Sequence, residues 1–407
     1  MLHETKPNRW LTARRLRAHG TMLAVCLWSF YAWNLATPGL RDRNGNLKGT
    51  DFLHFYTLGT IAAQHRGPEL YDMNAQATLA AQRVTEAAGI RYLPLYPPQA
   101  SLLFEPLSHL PYAWALAVWW ICSAAIYGVC CFFVWRACPN LRKYGGLVAL
   151  LAIAFPAFFH LIAWGQTSAL ALACFTLMFF LLRARKEFLA GIALGCLTFK
   201  PQLGLAAVVV FLSIGAWKVL AGAAISAVVE LSVGAFYYGL EPFRRWLRVM
   251  WHIRGVLPLV EPKLYQTYSL RTFWSMLLPW NDLNDLTLAL FVLSSIAVLA
   301  LTVFIWRRKE SWLALRYSSL LFATVLVAPH LTVYDLVILA PAFLLLADWL
   351  IAHPANNSSN RLGTLLYLAY LLPLVGPFAP WTHVQLSVVA MAACVYVLWK
   401  MSDRGSV

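Results

Sequence analysis

Runs of apolar residues, each about as long as a bilayer crossing, recur along this chain from Met22 to Trp399. A transmembrane helix needs about 20 such residues, and backbone polar groups within a bilayer must bond to each other inside the element. Of the 407 residues, 60% are hydrophobic and only 12% are charged, against about 25% charged in soluble domains. The sequence therefore predicts an all-α, polytopic transmembrane helical bundle.

The apolar runs predict twelve spans, with one ambiguous place in the middle of the chain. Segments 188–199 and 201–215 are short, and Lys200-Pro201 between them could instead kink a single long helix. Merging the two segments would invert the orientation of everything downstream. The twelve spans are predicted at 20–39, 111–135, 144–161, 167–182, 188–199, 201–215, 217–239, 286–306, 313–328, 331–350, 362–376 and 381–400.

The basic residues set the expected orientation. Short loops rich in Lys and Arg face the cytoplasm, which places the N-terminal segment 1–19, the basic loops and the tail 401–407 inside. The long segments 40–110 and 240–285 are then external loops of one transmembrane domain, residues 20–400, in the cell membrane. The first run is predicted to be a retained anchor, because no small-residue cleavage pattern follows it. The net charge of +15 reflects this topology rather than a nucleic-acid partner.

Two short helices are predicted in the first external loop, at Phe52–His65 and Asn74–Ala88. Amphipathic helices of this kind can lie in the membrane interface, with apolar faces in lipid. The eight cysteines contain no C-x-x-C pair, so the sequence indicates neither a metal site nor a disulfide framework. No cofactor is implied.

Polar residues stand where these apolar segments begin, end or break. Polar groups near a membrane are costly unless they are paired or used. One shared site on the external face is the economical explanation. The residues concerned are Asp51 and His54 after the first span, Gln166 in "WGQTS", Lys200 and Gln202 in "FKPQ", and His330 and Asp335 in "APHLTVYD".

Several of these motifs, in this order and spacing, resemble glycosyltransferase family 87 of the GT-C superfamily, which includes the polyprenol-phosphate-mannose-dependent phosphatidylinositol-mannoside mannosyltransferases. No single motif is specific, but together they extend from residue 49 to residue 340. They are "DFLHFY", "LYD" followed by Tyr96-Pro97-Pro98, "PLSHLPY", "WGQTS", "AGIALGCLTFKPQ" and "VYDLVIL".

The resemblance implies a GT-C fold and a hexosyltransferase that moves a sugar from a polyprenyl-phosphate carrier to an external lipid or glycan acceptor. Mannose in α-1,2 linkage is the expected sugar, and no metal is required. Asp51 is the expected general base that takes the acceptor's proton. The residues expected to bind the substrate or the donor are His54, Gln166, Lys200, Gln202, Arg245, His330 and Asp335.

Other interpretations stay open at the level of sequence. Asp51 is a favoured residue type for a helix N-cap, and Lys200 could extend its amine to the interface. The stretch "EPFRRWLRVMWHIRG" is most simply an interfacial helix that binds anionic headgroups. In the alternative, one of its arginines holds the phosphate of the carrier. A lipid or sugar transporter, a flippase, an assembly scaffold and an arabinofuranosyltransferase are the competing functions.

Overall fold

The computed structural model describes residues 11–253, 263–280, 284–308, 311–353 and 356–403. Parts of the predicted N-terminal segment, of the external loop 240–285, of the loop at 307–310 and of the C-terminal tail lie outside these residues. The described residues form helices and contain no sheet, only two isolated antiparallel bridges, Arg41 with Leu47 and Thr267 with Thr332. The expectation of an all-α chain is confirmed.

Nineteen α-helices are described, together with short 3₁₀ helices that mark breaks in the chain. The 3₁₀ helices used below are Gly67–Tyr71, Pro98–Leu103, Cys196–Phe199, Pro201–Leu203 and Val333–Leu339. The α-helices are α1 (Ala13–Leu35), α2 (Phe52–Ala63), α3 (Met73–Arg83), α4 (Glu105–Ser108), α5 (Tyr112–Ala137), α6 (Gly145–Ile153), α7 (Pro156–Trp164), α8 (Ser168–Arg183), α9 (Glu187–Gly195), α10 (Leu205–Ser213), α11 (Trp217–Tyr238), α12 (Glu241–Trp251), α13 (Leu270–Leu277), α14 (Asn284–Arg307), α15 (Leu313–Val327), α16 (Ala340–Ala352), α17 (Asn357–Leu371), α18 (Ala379–Thr382) and α19 (Leu386–Asp403).

Five helical segments in the described chain are long and apolar enough to cross a membrane, or six if one bent pair of helices counts as a span. Shorter apolar helices accompany them, so a multi-pass helical membrane protein is confirmed in this coarser form. Helix α1 has 23 residues but is not among the five, because polar residues such as His19 and Asn34 lower its hydropathy. The five segments are Tyr112–Ala137, Trp217–Tyr238, Asn284–Arg307, Val333–Ala352 and Asn357–Thr382, and the bent pair is Pro139–Ile153 with Pro156–Trp164.

The chain reverses direction around Lys200, where the sequence left open whether there are two short spans or one kinked helix. A β-carbon at Gly191 would overlap the Val219 carbonyl, and one at Gly195 would overlap the Ala223 carbonyl. Positions four apart on α9 therefore meet positions four apart on α11, and the two helices run in the same direction in close contact through small residues. The chain between them must return, so Lys200 stands at a turn between two short segments rather than in one kinked helix.

Helix α2 begins immediately after Asp51 and is buried almost all round. Eleven of its twelve residues are buried, and a β-carbon at Gly59 would overlap the backbone carbonyl of Phe104. The expectation that this helix lies in the membrane interface was therefore wrong. Its length was nearly correct, but its surroundings are protein on every side, and the half-buried Asp51 stands at its start.

Candidate active site

Asp51 occupies the N-cap position of α2 but does not act as a cap. Its backbone is in the right-handed helical region, and its side chain makes no hydrogen bond to the first turn. The backbone N–H of Asp51 donates to the Trp164 carbonyl at 3.1 Å, which ties the start of α2 to the end of α7. The carboxylate oxygen Oδ2 accepts a hydrogen bond from Nε2 of Gln166 at 2.6 Å. The capping interpretation of Asp51 therefore does not describe its side chain.

Gln166 lies in the connection between α7 and α8, directly after a left-handed glycine. Gly165 has φ of 65°, and a β-carbon there would lie 2.6 Å from Cβ of Phe52, so glycine allows this connection to approach α2. The side-chain oxygen of Gln166 accepts from the backbone N–H of Thr167 at 3.4 Å and faces the Tyr96 hydroxyl at 3.5 Å. These contacts direct the amide nitrogen of Gln166 toward Asp51.

A buried ion pair lies beside this contact. Nζ of Lys200 is 2.8 Å from Oδ1 of Asp335, and the side chains are only 5% and 4% exposed. The Ser168 hydroxyl donates to the same Asp335 oxygen at 2.5 Å and accepts from Lys200 at 3.1 Å. Thr332 donates to the other Asp335 oxygen through its backbone N–H and its hydroxyl, at 3.1 and 3.2 Å. The pair thus has the additional hydrogen bonds that a buried ion pair requires.

Burial and neighbouring groups set the pKa of Asp51. Burial raises the pKa from 3.8 to about 6, opposed by the hydrogen bond from Gln166 and by the positive charge of Lys200. A general base works best when its pKa lies near the working pH, because a more acidic carboxylate accepts protons poorly. Asp51 is therefore ionised at neutral pH and still basic enough to accept a proton.

His54, one turn after Asp51, is buried without a hydrogen-bond partner for either ring nitrogen among the described residues. Its ring centroid lies 5.2 Å from that of Tyr92 and 5.9 Å from that of Tyr96. Burial lowers the pKa of His54 to about 4, so the imidazole is neutral. Because buried polar groups normally have partners, His54 lies where a polar ligand could provide them.

Three further polar side chains in the same segments share this property. The hydroxyls of Thr50 and Thr167 and the amide of Gln99 have buried atoms without a hydrogen-bond partner in the described part of the chain. Thr50 precedes Asp51 in the sequence, Thr167 follows Gln166, and Gln99 lies three residues after Tyr96. These residues, like Ser168, were missed by sequence reasoning. Thr167 and Ser168 belong to the motif "WGQTS", whereas the only sequence signal for Gln99 is its place directly after Tyr96-Pro97-Pro98.

The structure thus brings Asp51, Gln166, Lys200 and Asp335 together, with His54 beside them. Gln202 lies half-buried on the 3₁₀ turn after Lys200. Among the residues described, no group of three His, Cys, Asp or Glu is placed to hold a metal ion.

The two remaining predicted site residues lie on other segments. His330 lies between α15 and the 3₁₀ helix Val333–Leu339, in a segment held by the bond from the Tyr268 N–H to the Leu331 carbonyl at 2.9 Å. Arg245 lies on α12, where it bonds to Glu241 at 3.0 Å and to the Pro68 carbonyl at 3.3 Å. The structure does not place Arg245 in the buried network.

Comparison with known proteins identifies one family. The model of glycosyltransferase family 87 matches residues 95–329, more than half of the chain. The match includes Gln166 and Lys200, whereas Asp51 and Asp335 lie outside its limits. No curated protein and no solved structure matches the chain.

Proposed function

Because this chain belongs to glycosyltransferase family 87, we propose that it transfers mannose, in α-1,2 linkage, from a polyprenyl-phosphate carrier to an external lipid or glycan acceptor. Family membership and the apolar helices make it a membrane glycosyltransferase. Asp51 is the general base in this proposal. The observation that carries it is the 2.6 Å contact between Asp51 and Gln166 at the start of a buried helix.

In the proposed reaction the acceptor hydroxyl attacks the anomeric carbon of the donor sugar. The bond from that carbon to the phosphate oxygen breaks, the new glycosidic bond forms with inversion, and Asp51 takes the hydroxyl proton. Polyprenyl phosphate leaves with the electron pair. Oδ2 of Asp51 is held by Gln166, whereas Oδ1 has no hydrogen-bond partner within the described chain, and we assign the proton to that oxygen.

Negative charge develops on the departing phosphate, and we assign Lys200 to that side of the reaction. An ammonium group has three N–H donors, and two of those of Lys200 go to Ser168 and Asp335. The third would donate to a phosphate oxygen, where a fixed charge in a dry site stabilises the transition state strongly. Asp335 would keep Lys200 charged and in place, and Gln202 and His330 are assigned to the same side.

The contacts of Arg245 give it a weaker case as a phosphate ligand. Its guanidinium is already bonded to Glu241 and to the Pro68 carbonyl. We therefore assign Arg245 a structural role, in which it holds α12 against the first external loop, 40–110, to which Pro68 belongs. The proposal retains twelve spans and a site on the external face of the cell membrane, with the reversal at Lys200 in support of the span count.

The test is an assay of the purified full-length protein with a panel of polyprenyl-phosphate sugars, including the mannosyl and arabinofuranosyl donors. We expect sugar transfer to a lipid or glycan acceptor, or slow donor hydrolysis without an acceptor, with the mannosyl donor preferred. Preference for the arabinofuranosyl donor would replace the proposed sugar and leave the site assignment intact. Turnover of none of the donors would contradict the proposed donor class.

A further inference from the structure

Helix α12 starts at the end of a candidate membrane span. The span Trp217–Tyr238 ends three residues before α12 begins at Glu241, and Gly239, with φ of 75°, turns the chain between them. Nε1 of Trp246 donates to the Leu95 carbonyl at 3.1 Å. The next residue, Tyr96, faces Gln166. Helix α12 therefore lies at the membrane end of the span, on the side of the candidate active site.

The outer side of α12 has an apolar edge beside a basic edge. Leu247 is 59% exposed, Trp251 is 86% exposed, and Leu240, just before the helix, is 62% exposed. Their spacing of seven and four residues places them on one face. Arg244 and Arg248, four residues apart and both exposed, form the neighbouring strip. Exposed tryptophan beside arginine on a strongly amphipathic helix is typical of helices that lie in the membrane interface.

The three arginines of α12 differ in their contacts. Arg245 is partly exposed, but its guanidinium is engaged by the protein, since it bonds to Glu241 and to the Pro68 carbonyl. Arg244 and Arg248 make no side-chain hydrogen bond or ion pair with any described residue. Since Arg245 and Trp246 mark the face that packs toward Leu95 and the active site, Arg244 and Arg248 are directed away from it. Their charges are thus placed for the bilayer surface rather than for a donor phosphate in the site.

We infer that α12 is a docking helix for anionic phospholipids in the leaflet on the side of the active site. Arg244 and Arg248 bind the headgroup phosphates, and Leu247 and Trp251 lie among the upper acyl chains. Each basic residue near an anionic membrane surface increases membrane affinity about five-fold, so we expect the two arginines together to prefer an anionic over a zwitterionic lipid by about 25-fold. This inference concerns the bilayer and holds whichever sugar the enzyme transfers.

The experiment is a lipid titration of the purified full-length protein in detergent, followed by native mass spectrometry. Phosphatidylglycerol and phosphatidylcholine with the same acyl chains are the probes. We expect the wild type to prefer phosphatidylglycerol and the Arg244→Gln/Arg248→Gln variant to lose most of that preference. Arg244→Lys/Arg248→Lys should keep it, and Trp251→Ser should weaken binding of both lipids.

Arg245→Gln and Arg248→Gln are the decisive matched pair, because each removes one positive charge from the same helix. We expect Arg248→Gln to reduce the preference for phosphatidylglycerol about five-fold and Arg245→Gln to leave it nearly unchanged. Equal effects of the two would show a dependence on net charge alone and overturn the assignment. An unchanged double glutamine variant, or competition by inorganic phosphate as effective as phosphatidylglycerol, would also overturn it.

Discussion

The side-chain amide of Gln166 donates to the carboxylate of Asp51 at 2.6 Å, although 115 residues separate the two in the chain. The bond joins the start of a buried helix to the break between α7 and α8. It also acts on protonation, because a hydrogen bond to a carboxylate favours the ionised form. Burial acts in the opposite direction and is the larger effect, so the pKa of Asp51 lies at about 6.

This relationship predicts the pH dependence of transfer. A general base works as the carboxylate, so activity should rise with pH through the pKa of Asp51, and the acid limb should lie near pH 6 rather than near the usual value of 3.8. Gln166→Leu removes the bond that lowers the pKa, and the limb should move to higher pH. The measurement is kcat/KM against pH, which reports the pKa of the unliganded enzyme.

Gln202→Leu is the matched control for that profile, since Gln202 is a half-buried glutamine without a bond to Asp51. Its acid limb should stay where the wild type has it, even if its KM for the donor rises. A Gln166→Leu profile that coincides with the wild type would mean that Gln166 does not act through Asp51.

The gathering of Asp51, Gln166, Lys200 and Asp335 was predictable from sequence because each residue stands where an apolar segment begins or breaks. Polar groups at such breaks can meet at one end of a bundle, and a membrane penalises them elsewhere. Their pairing was not predictable. The ion pair of Lys200 with Asp335 joins residues 135 positions apart, and it depends on the reversal that packs α9 beside α11. The Gly191-x-x-x-Gly195 spacing permits a close helix contact, but it does not show that α11 is the partner.

The burial of α2 was also beyond the sequence. The pattern of "DFLHFYTLGT" agrees with both an interfacial helix and an internal one, because periodicity shows which residues are apolar but not what covers them. The close approach of Gly59 to the Phe104 backbone decides between the two. Phe104 belongs to a segment about 45 residues further along the chain, so only tertiary structure shows that Asp51 stands at the start of a buried helix.

A second prediction separates the structural and chemical roles of Lys200. Removing one member of a buried ion pair costs about 3–5 kcal/mol, because the other charge is left unpaired. Lys200→Met and Asp335→Leu should each lower the unfolding temperature strongly. The double variant should recover much of that stability, as apolar replacements of a buried pair often do.

Activity should not recover with stability in the double variant if Lys200 binds the donor phosphate. We therefore expect a stable Lys200→Met/Asp335→Leu protein with severely reduced donor binding, measured by donor titration at saturating acceptor. If that double variant bound the donor with wild-type affinity, the role of the Lys200–Asp335 ion pair would be limited to stabilising the fold.

A third prediction concerns His54, which is buried with both ring nitrogens unpaired in the described chain. His54→Phe keeps an aromatic ring and removes the unsatisfied polar atoms, so its stability should equal or exceed that of the wild type. If the ring binds a substrate hydroxyl, kcat/KM should fall about ten-fold or more, which corresponds to a lost hydrogen bond of about 1.5 kcal/mol. Unchanged kinetics in a stabilised variant would make His54 a packing residue only.

A fourth prediction tests orientation and span count with two described, exposed positions. Cysteine at Lys263 should react with an impermeant thiol reagent in intact cells, because the external loop 240–285 contains it. Cysteine at Lys186, in the basic loop between α8 and α9, should react only after lysis. The protein without either substitution must be labelled in parallel. Its native Cys26 and Cys122 are exposed, so their labelling sets the background signal. Protection of position 263 would contradict the external location of the loop 240–285 and invert the predicted topology of that part of the chain.

The last prediction concerns Asp51 itself. Asp51→Asn keeps the size of the side chain and an acceptor oxygen for Gln166, but it removes the base. The variant should fold, bind the lipid donor and lose transfer by about 10²–10⁴-fold, the usual contribution of general-base catalysis. Asp72→Asn is the matched control in the same loop, because Asp72 is a true N-cap that accepts from Asn74 and Ala75 at 2.9 and 3.1 Å. Since Asn caps about as well as Asp, that variant should keep full activity. A fully active Asp51→Asn protein would remove the central residue from the proposed mechanism, whereas equal losses in both variants would indicate damage to the loop rather than loss of a base.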